Sequence, residues 1–207
     1  MEKHWWRVIA GLLLIIVGVV LTLAQFGLIT ISGAIVGMLA LFTGAFIFLA
    51  LWLSNTKEWW PLIPGGIMLA WGASALLGTL GLADWLVILV GFVGSALPFV
   101  YIFARNRRAN WWALIPGGVL AFMGVATALG EIVGGEWVGL FVLLGIALAF
   151  LVVFLVDRRN WWALIPAGVM TLVAISTSPL GGYAQLVWAL LLIFAGSILV
   201  VYALLRR

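Results

Sequence analysis

The sequence predicts an all-α integral membrane protein, with eight transmembrane helices arranged as four tandem two-helix repeats in parallel orientation. Three observations carry this prediction. The chain is 67% hydrophobic and only 8% charged, whereas a soluble domain carries about 25% charged residues. So much apolar surface has no aqueous solution. One short stretch also recurs through the chain. It reads Asn110-Trp-Trp-Ala-Leu-Ile-Pro-Gly-Gly118, then Asn160-Trp-Trp-Ala-Leu-Ile-Pro-Ala-Gly168, with an earlier copy at Glu58-Trp-Trp-Pro-Leu-Ile-Pro-Gly-Gly66 and a worn one at His4-Trp-Trp-Arg-Val-Ile-Ala-Gly11. Finally, every Lys and Arg lies on the same side as that stretch.

The Trp pairs begin at Trp5, Trp59, Trp111 and Trp161, at intervals of 54, 52 and 50 residues. Each interval has room for two spans, because a membrane helix needs about 20 apolar residues. The apolar runs are 7–25, 30–53, 60–80, 84–104, 111–130, 137–156, 161–178 and 184–205. Only helices and closed barrels satisfy their own backbone in lipid, and these runs are continuous where barrel strands alternate. The repeats cover approximately 4–55, 58–106, 110–157 and 160–207 of a single transmembrane domain, 1–207. In the first run, Val8 to Ala24 is a 17-residue stretch without charge. That exceeds the roughly 7–15 residues of a signal-peptide core, so it is read as a retained span.

Short linkers at Ser54–Glu58, Arg105–Asn110 and Asp157–Asn160 join the hairpins. Turns near Gln25–Ile29, Thr79–Ala83, Gly130–Gly135 and Ser178–Gly182 close them. The ten bases are Lys3, Arg7, Lys57, Arg105, Arg107, Arg108, Arg158, Arg159, Arg206 and Arg207. The opposite turns carry Asp84, Glu131 and Glu136 and no base. Positive charge in short loops marks the cytoplasmic face. This places both termini in the cytoplasm and the chain in the cell (cytoplasmic) membrane, a prokaryotic inner membrane. The net charge of +4 then follows from topology and from anionic lipid heads. Nucleic acid is not needed as a partner.

Eight of the 13 Trp residues lie in the recurring pairs: Trp5, Trp6, Trp59, Trp60, Trp111, Trp112, Trp161 and Trp162. Trp favours the headgroup level, where its ring is apolar and its N–H stays wet. The pairs are therefore read as interfacial anchors. The alternative is a ring of aromatic faces holding a pigment, quinone or lipid tail. Pro64, Pro116 and Pro166 follow, behind caps expected at Glu58, Asn110 and Asn160. Pro suits a helix's first turn and Asn its cap, so the Trp pair is expected to form a short turn ahead of the membrane helix. The first repeat has Ala10 in the Pro slot, so its helix should start earlier. Asp84 is read as the cap of the helix that follows it.

A small-residue register follows the Pro. It comprises Gly11 and Gly18, Gly65 and Gly72, Gly117 and Gly124, and Ala167 and Ala174. Seven residues return to nearly the same helix face, and small residues there let backbones approach closely. Each odd helix should thus carry a packing seam. Gly33-x-x-x-Gly37 with Gly44, and Gly135-x-x-x-Gly139 with Gly145, suggest related seams on even helices. The bundle could be pseudo-fourfold or sequentially wrapped, and the seams could instead serve a partner helix. Pro98 should kink the fourth span.

No Asp, Glu, Lys, Arg or His stands near the middle of any run, and there is no Cys. Chemistry at depth needs such groups, so neither an enzyme nor a bound cofactor or metal is expected. Hydroxyls at Thr22, Thr43, Ser74, Ser95, Thr127, Thr171, Ser176 and Ser197 should bond the preceding turn's carbonyl or a neighbouring helix. The opening Trp6-Arg-Val-Ile-Ala-Gly-Leu-Leu-Leu-Ile-Ile-Val-Gly18 and the later Trp-Trp-x-Leu-Ile-Pro-Gly-Gly copies resemble the transmembrane hairpins of bacterial Lia-type cell-envelope stress proteins. The resemblance implies a regulator or scaffold within the membrane, although this chain lacks the soluble C-terminal domain some members carry. The expected role is structural or accessory, with the lipid bilayer, other membrane proteins or a second copy as partners. The alternatives are a small transporter or lipid-handling protein with a path between the hairpins, and a pigment- or quinone-binding subunit.

Overall fold

The computed structural model describes residues 5–27 and 32–179, with two isolated positions, 189 and 193, beyond them. The expected eighth span, 184–205, and the bases Lys3, Arg206 and Arg207 lie outside the described residues, as do the side chains of Trp5 and Trp6. The described chain is helical, and it contains no strand. Its α-helices are α1 (Trp5–Gln25), α2 (Gly33–Ser54), α3 (Leu62–Thr79), α4 (Asp84–Arg105), α5 (Leu114–Val133), α6 (Val138–Val156) and α7 (Leu164–Thr177). Five segments are long and apolar enough to cross a membrane: Gly33–Ser54, Leu62–Thr79, Asp84–Arg105, Trp111–Val133 and Gly135–Val156. Their length and composition are those of a multi-pass membrane protein.

The helix starts follow from local chemistry. In the later repeats the Trp pair forms a short turn before the helix, as its Pro predicts. Trp111–Ala113 and Trp161–Ala163 are single 3-10 turns, and α5 and α7 begin directly after them. Pro64, Pro116 and Pro166 each take the third position of their helix, where no intrahelical N–H bond is lost. α1 has no Pro and runs unbroken from Trp5. The caps expected from sequence are not the ones formed. Asn110 and Asn160 precede the 3-10 turns and make no side-chain cap bond. Pro61 stands at the cap position of α3, three residues after Glu58. The interposed turn moves each helix start beyond the reach of these side chains. Asp84 is likewise the first helical residue of α4, not its cap, which is Ala83.

The turns at the end opposite the Trp pairs are set by glycine. Gly27, Gly81 and Gly134 have φ of 69°, 77° and 107°, a region that L side chains rarely occupy. After α3 the Gly81 N–H donates to the Gly78 carbonyl and the Leu82 N–H to Leu77. This pattern ends the helix on its own last carbonyls.

The helices pack in chain order. α2 to α6 each lie against the preceding and the following helix, α7 lies against α6, and α1 lies more loosely on α2. Among the described residues, no comparable packing joins helices that are not neighbours in the chain. Among the described residues the helices therefore form an antiparallel row. A buried cluster of Phe99, Ile102 and Ala113 is surrounded by Leu62, Ile63, Ile67, Phe103, Trp112 and Leu120. It ties α3, α4 and α5 together near their Trp ends. Pro98 lies buried within α4, which remains one continuous helix.

Candidate functional site

The feature most concentrated in chemistry and geometry is the set of small-residue faces with the Trp turns above them. In α3, α5 and α7 the predicted seam packs on the preceding even helix. A methyl group added at Gly72 would lie 3.2 Å from the Phe42 ring, and one at Gly65 would lie 3.0 Å from Leu49 and 3.1 Å from Phe48, all on α2. At Gly117 it would lie 2.9 Å from Phe99 Cβ, and at Gly124 3.0 Å from Phe92 Cβ, both on α4. Ala167 and Ala174 are buried at the equivalent positions of α7, which packs on α6. Aromatic and leucine side chains thus fill the hollows that glycine leaves, and these contacts are too tight for a larger residue.

The second glycine of each Gly-Gly pair serves the other neighbour. Gly66 lies against Pro98 of α4, and a methyl at Gly118 would lie 2.7 Å from Ala149 of α6. Consecutive helical residues diverge by about 100°, so Gly65-Gly66 and Gly117-Gly118 let the helices on both sides approach. The row continues along one face. Gly94 of α4 receives Ala70 of α3, Gly91 receives Trp71 and Ser74, and Gly145 of α6 receives Phe122 of α5. Ser74 donates a 2.6 Å hydrogen bond to the Val87 carbonyl across the α3–α4 contact. Other hydroxyls turn inward on their own helices, as expected. Thr22, Ser95, Thr127, Thr171 and Ser176 each donate to a carbonyl four residues earlier.

The first repeat behaves differently. A methyl group added at Gly11 or Gly18 would meet no atom of the described residues within 4 Å. Gly33, Gly37, Gly135 and Gly139 also face open space. Of the expected even-helix seams, only Gly44, against Met68, and Gly145 make close contacts.

The Trp pairs form a ladder between successive repeats. The Trp59 and Trp112 rings have centroids 5.0 Å apart, and those of Trp111 and Trp162 are 5.8 Å apart. In both rungs the first Trp of one repeat meets the second Trp of the next. Trp60 and Trp162 also stand edge-on to Phe48 and Phe150 of the preceding even helix, each at 6.3 Å. Trp111 and Trp112, mid-row, are half-buried, whereas Trp161 is 65% exposed. These rings are contacts between repeats as well as candidates for the interface.

No family model, curated protein or solved structure matches this chain. Its reading rests on its own geometry.

Several contributors carry no sequence signal. Asn110 donates from Nδ2 to the Ile102 carbonyl at 2.7 Å, closing the C-terminal end of α4 rather than the start of α5. The Nδ2 of Asn160 is buried without a partner. Arg105 donates to the Thr56 carbonyl and so links two linkers at the Trp end. Arg158 lies 4.6 Å over the Phe154 ring. Trp52 packs edge-on against Tyr101 at 5.6 Å, and its Nε1 is buried without a hydrogen-bond partner. Trp52 and Tyr101 line one end of an apolar groove of about 410 Å³ between α2, α3 and α4, together with Gly66, Leu69, Gly94 and Pro98. Among the described residues, no three His, Cys, Asp or Glu side chains gather into a metal-holding group.

Proposed function

We propose that this chain is a structural or accessory membrane protein that packs laterally with other membrane components. On this reading it comprises four parallel two-helix repeats and eight spans, with both termini in the cytoplasm of a prokaryotic cell and the Trp turns at the inner leaflet. The observation that carries the proposal is the glycine seam. Its chemistry serves helix-to-helix contact in lipid, where water exclusion cannot drive association. The one-sided placement of Lys and Arg supports the orientation. The resemblance to Lia-type hairpins points the same way, towards a regulator or scaffold without catalysis. The test is gentle solubilisation from the native membrane followed by mass measurement. A mass well above one chain, with other membrane proteins in stoichiometric amount or further copies of this one, is the expected result. A lone chain would overturn the proposal.

The groove beside Trp52 favours a second reading, a lipid- or quinone-handling subunit. An apolar tail fits its walls, which Leu49, Trp52, Leu62, Leu69 and Leu97 line. Extraction of the purified protein with organic solvent tests it. Recovery of a stoichiometric isoprenoid or lipid that Trp52→Phe diminishes would support this reading, and recovery of bulk lipid alone would remove it.

A further inference from the structure

The groove beside Trp52 is apolar along its length and charged just past one end. Its floor is the close approach of α3 and α4, where Gly66 lies against Pro98 and Ala70 against Gly94. Leu49 of α2 and Leu97 of α4 stand on either side. Leu69, Leu97 and Tyr101 are exposed, so the groove opens on a face of the row, where a bilayer presents acyl chains. Its volume of about 410 Å³ falls within the roughly 300–1,000 Å³ of small-molecule sites. The Trp52 and Tyr101 rings meet edge-on at 5.6 Å and so bridge α2 to α4 across the line of α3. Trp52 lies in the last turn of α2, and Tyr101 one turn before the end of α4. The aromatic bridge therefore closes the groove at the Trp-turn end.

A base stands just beyond that bridge. Arg105 comes one helical turn after Tyr101 and so shares its face of α4. Its guanidinium donates to the Thr56 carbonyl in the α2–α3 linker, which carries it across the same two helices that the rings join. A carbonyl leaves the positive charge uncompensated. The remaining N–H donors form a planar fork that suits a phosphate. Lys57 directly follows Thr56, and Arg107 and Arg108 lie in the α4–α5 linker, while Glu58 is the one acid in these two linkers. The other described helices that run into a Trp turn, α2 and α6, end in Ser54 and Val156. Groove, aromatic bridge and terminal base coincide at α4.

We infer that this groove holds an acyl chain of an anionic glycerophospholipid, with the ester region beside Trp52 and Tyr101 and the phosphate on Arg105. The parts occur in the order of the lipid read from tail to head. A neutral isoprenoid would use the groove and not the base, and a soluble anion would use the base and not the groove. An anionic phospholipid in the leaflet against the Trp turns uses both. The inference rests on the lipid-handling reading of this groove and names the class of lipid and the side chain that selects it.

The test uses the full-length protein, delipidated in mild detergent and titrated with dioleoyl phosphatidylglycerol or dioleoyl phosphatidylcholine. Bound lipid is counted by native mass spectrometry. One retained phosphatidylglycerol per chain is expected, in preference to phosphatidylcholine. Arg105→Gln should weaken phosphatidylglycerol binding about fivefold and leave phosphatidylcholine unchanged, and Arg105→Lys should keep the preference. Ala73→Phe, which puts a ring into the groove, should reduce retention of both lipids. Leu97→Trp, at an exposed wall position, replaces it if that variant fails to fold. Arg158→Gln is the control, because Arg158 belongs to another linker and lies over the Phe154 ring. Its retention of lipid should not change. Equal weakening by Arg105→Gln and Arg158→Gln would overturn the inference, as would an Arg105→Gln variant that binds phosphatidylglycerol like the wild type. Equal retention of the two lipids, still reduced by Ala73→Phe, would remove the anionic preference and leave the lipid-handling reading standing. Retention of neither would also remove the inference, and the broader reading then falls only if solvent extraction yields no specific lipid.

Discussion

At the residue scale the protein is governed by where a side chain is missing. Gly72 admits the Phe42 ring so closely that an added methyl would lie at 3.2 Å, and a branched side chain there has no free volume. Gly72→Leu is expected to cost about 1–3 kcal/mol through overpacking, measured as a lower unfolding temperature in mild detergent. Gly37→Leu is the matched control. It faces open space and should be neutral or slightly stabilising, since Leu forms helix more readily than Gly. Equal losses at both sites would mean that general helix damage, not the seam, is responsible. Asn110 gives a second case. Its amide satisfies the buried Ile102 carbonyl, and removing the donor leaves that acceptor unpaired. Asn110→Ala should destabilise the chain by about 1–3 kcal/mol in the same melting experiment. Asn160→Ala should cost less, because its Nδ2 has no partner to lose.

At the element scale the unit is a Trp turn, a helix with Pro in its first turn, a glycine-turned corner and a returning helix. Much of this was legible in the sequence. The spans follow from hydrophobic length, the turn before the helix from the fixed φ of Pro, and the outer corners from glycine clusters. The partner of each seam was not legible. A seven-residue spacing identifies a helix face but not the helix opposite it, so the division of labour between Gly65 and Gly66 emerges only from packing. The capping expectation failed for a related reason. Sequence places Asn before a helix, but the 3-10 turn separates Asn from the N–H groups it would bond. The Gly-x-x-x-Gly of α2 misled in the opposite sense, since a small-residue face packs only where a neighbour reaches it. The Trp rungs were legible as positions but not as pairs. A double-mutant cycle on Trp59→Ala and Trp112→Ala tests the pairing. A coupling of about 0.5–1.5 kcal/mol is expected for rings in this arrangement, and additive effects would reduce the pair to independent anchors.

At the scale of the whole molecule, charge and packing assign separate properties. The basic linkers all lie at the Trp end of the row, where positive charge is expected to set its orientation, and the seams lie between helices that are neighbours in the chain. Single cysteines replacing Arg107 and Ile132 test the first assignment. In intact cells, a membrane-impermeant maleimide should label the thiol at 132 and spare the one at 107 until the membrane is opened. Reversed labelling would place the Trp turns outside.

Packing only between chain neighbours also has a consequence for biosynthesis. Among the described residues, the extensive helix contacts are all made with the segment just before or just after in the chain. A nascent chain leaving the ribosome therefore meets the main partner of each described seam within one neighbouring helix. Contacts of such short sequence separation carry little loop-closure cost and favour rapid folding. Each hairpin can dock as it enters the bilayer, and a chain halted after any Trp turn would already be a shorter, correctly packed version of the same object.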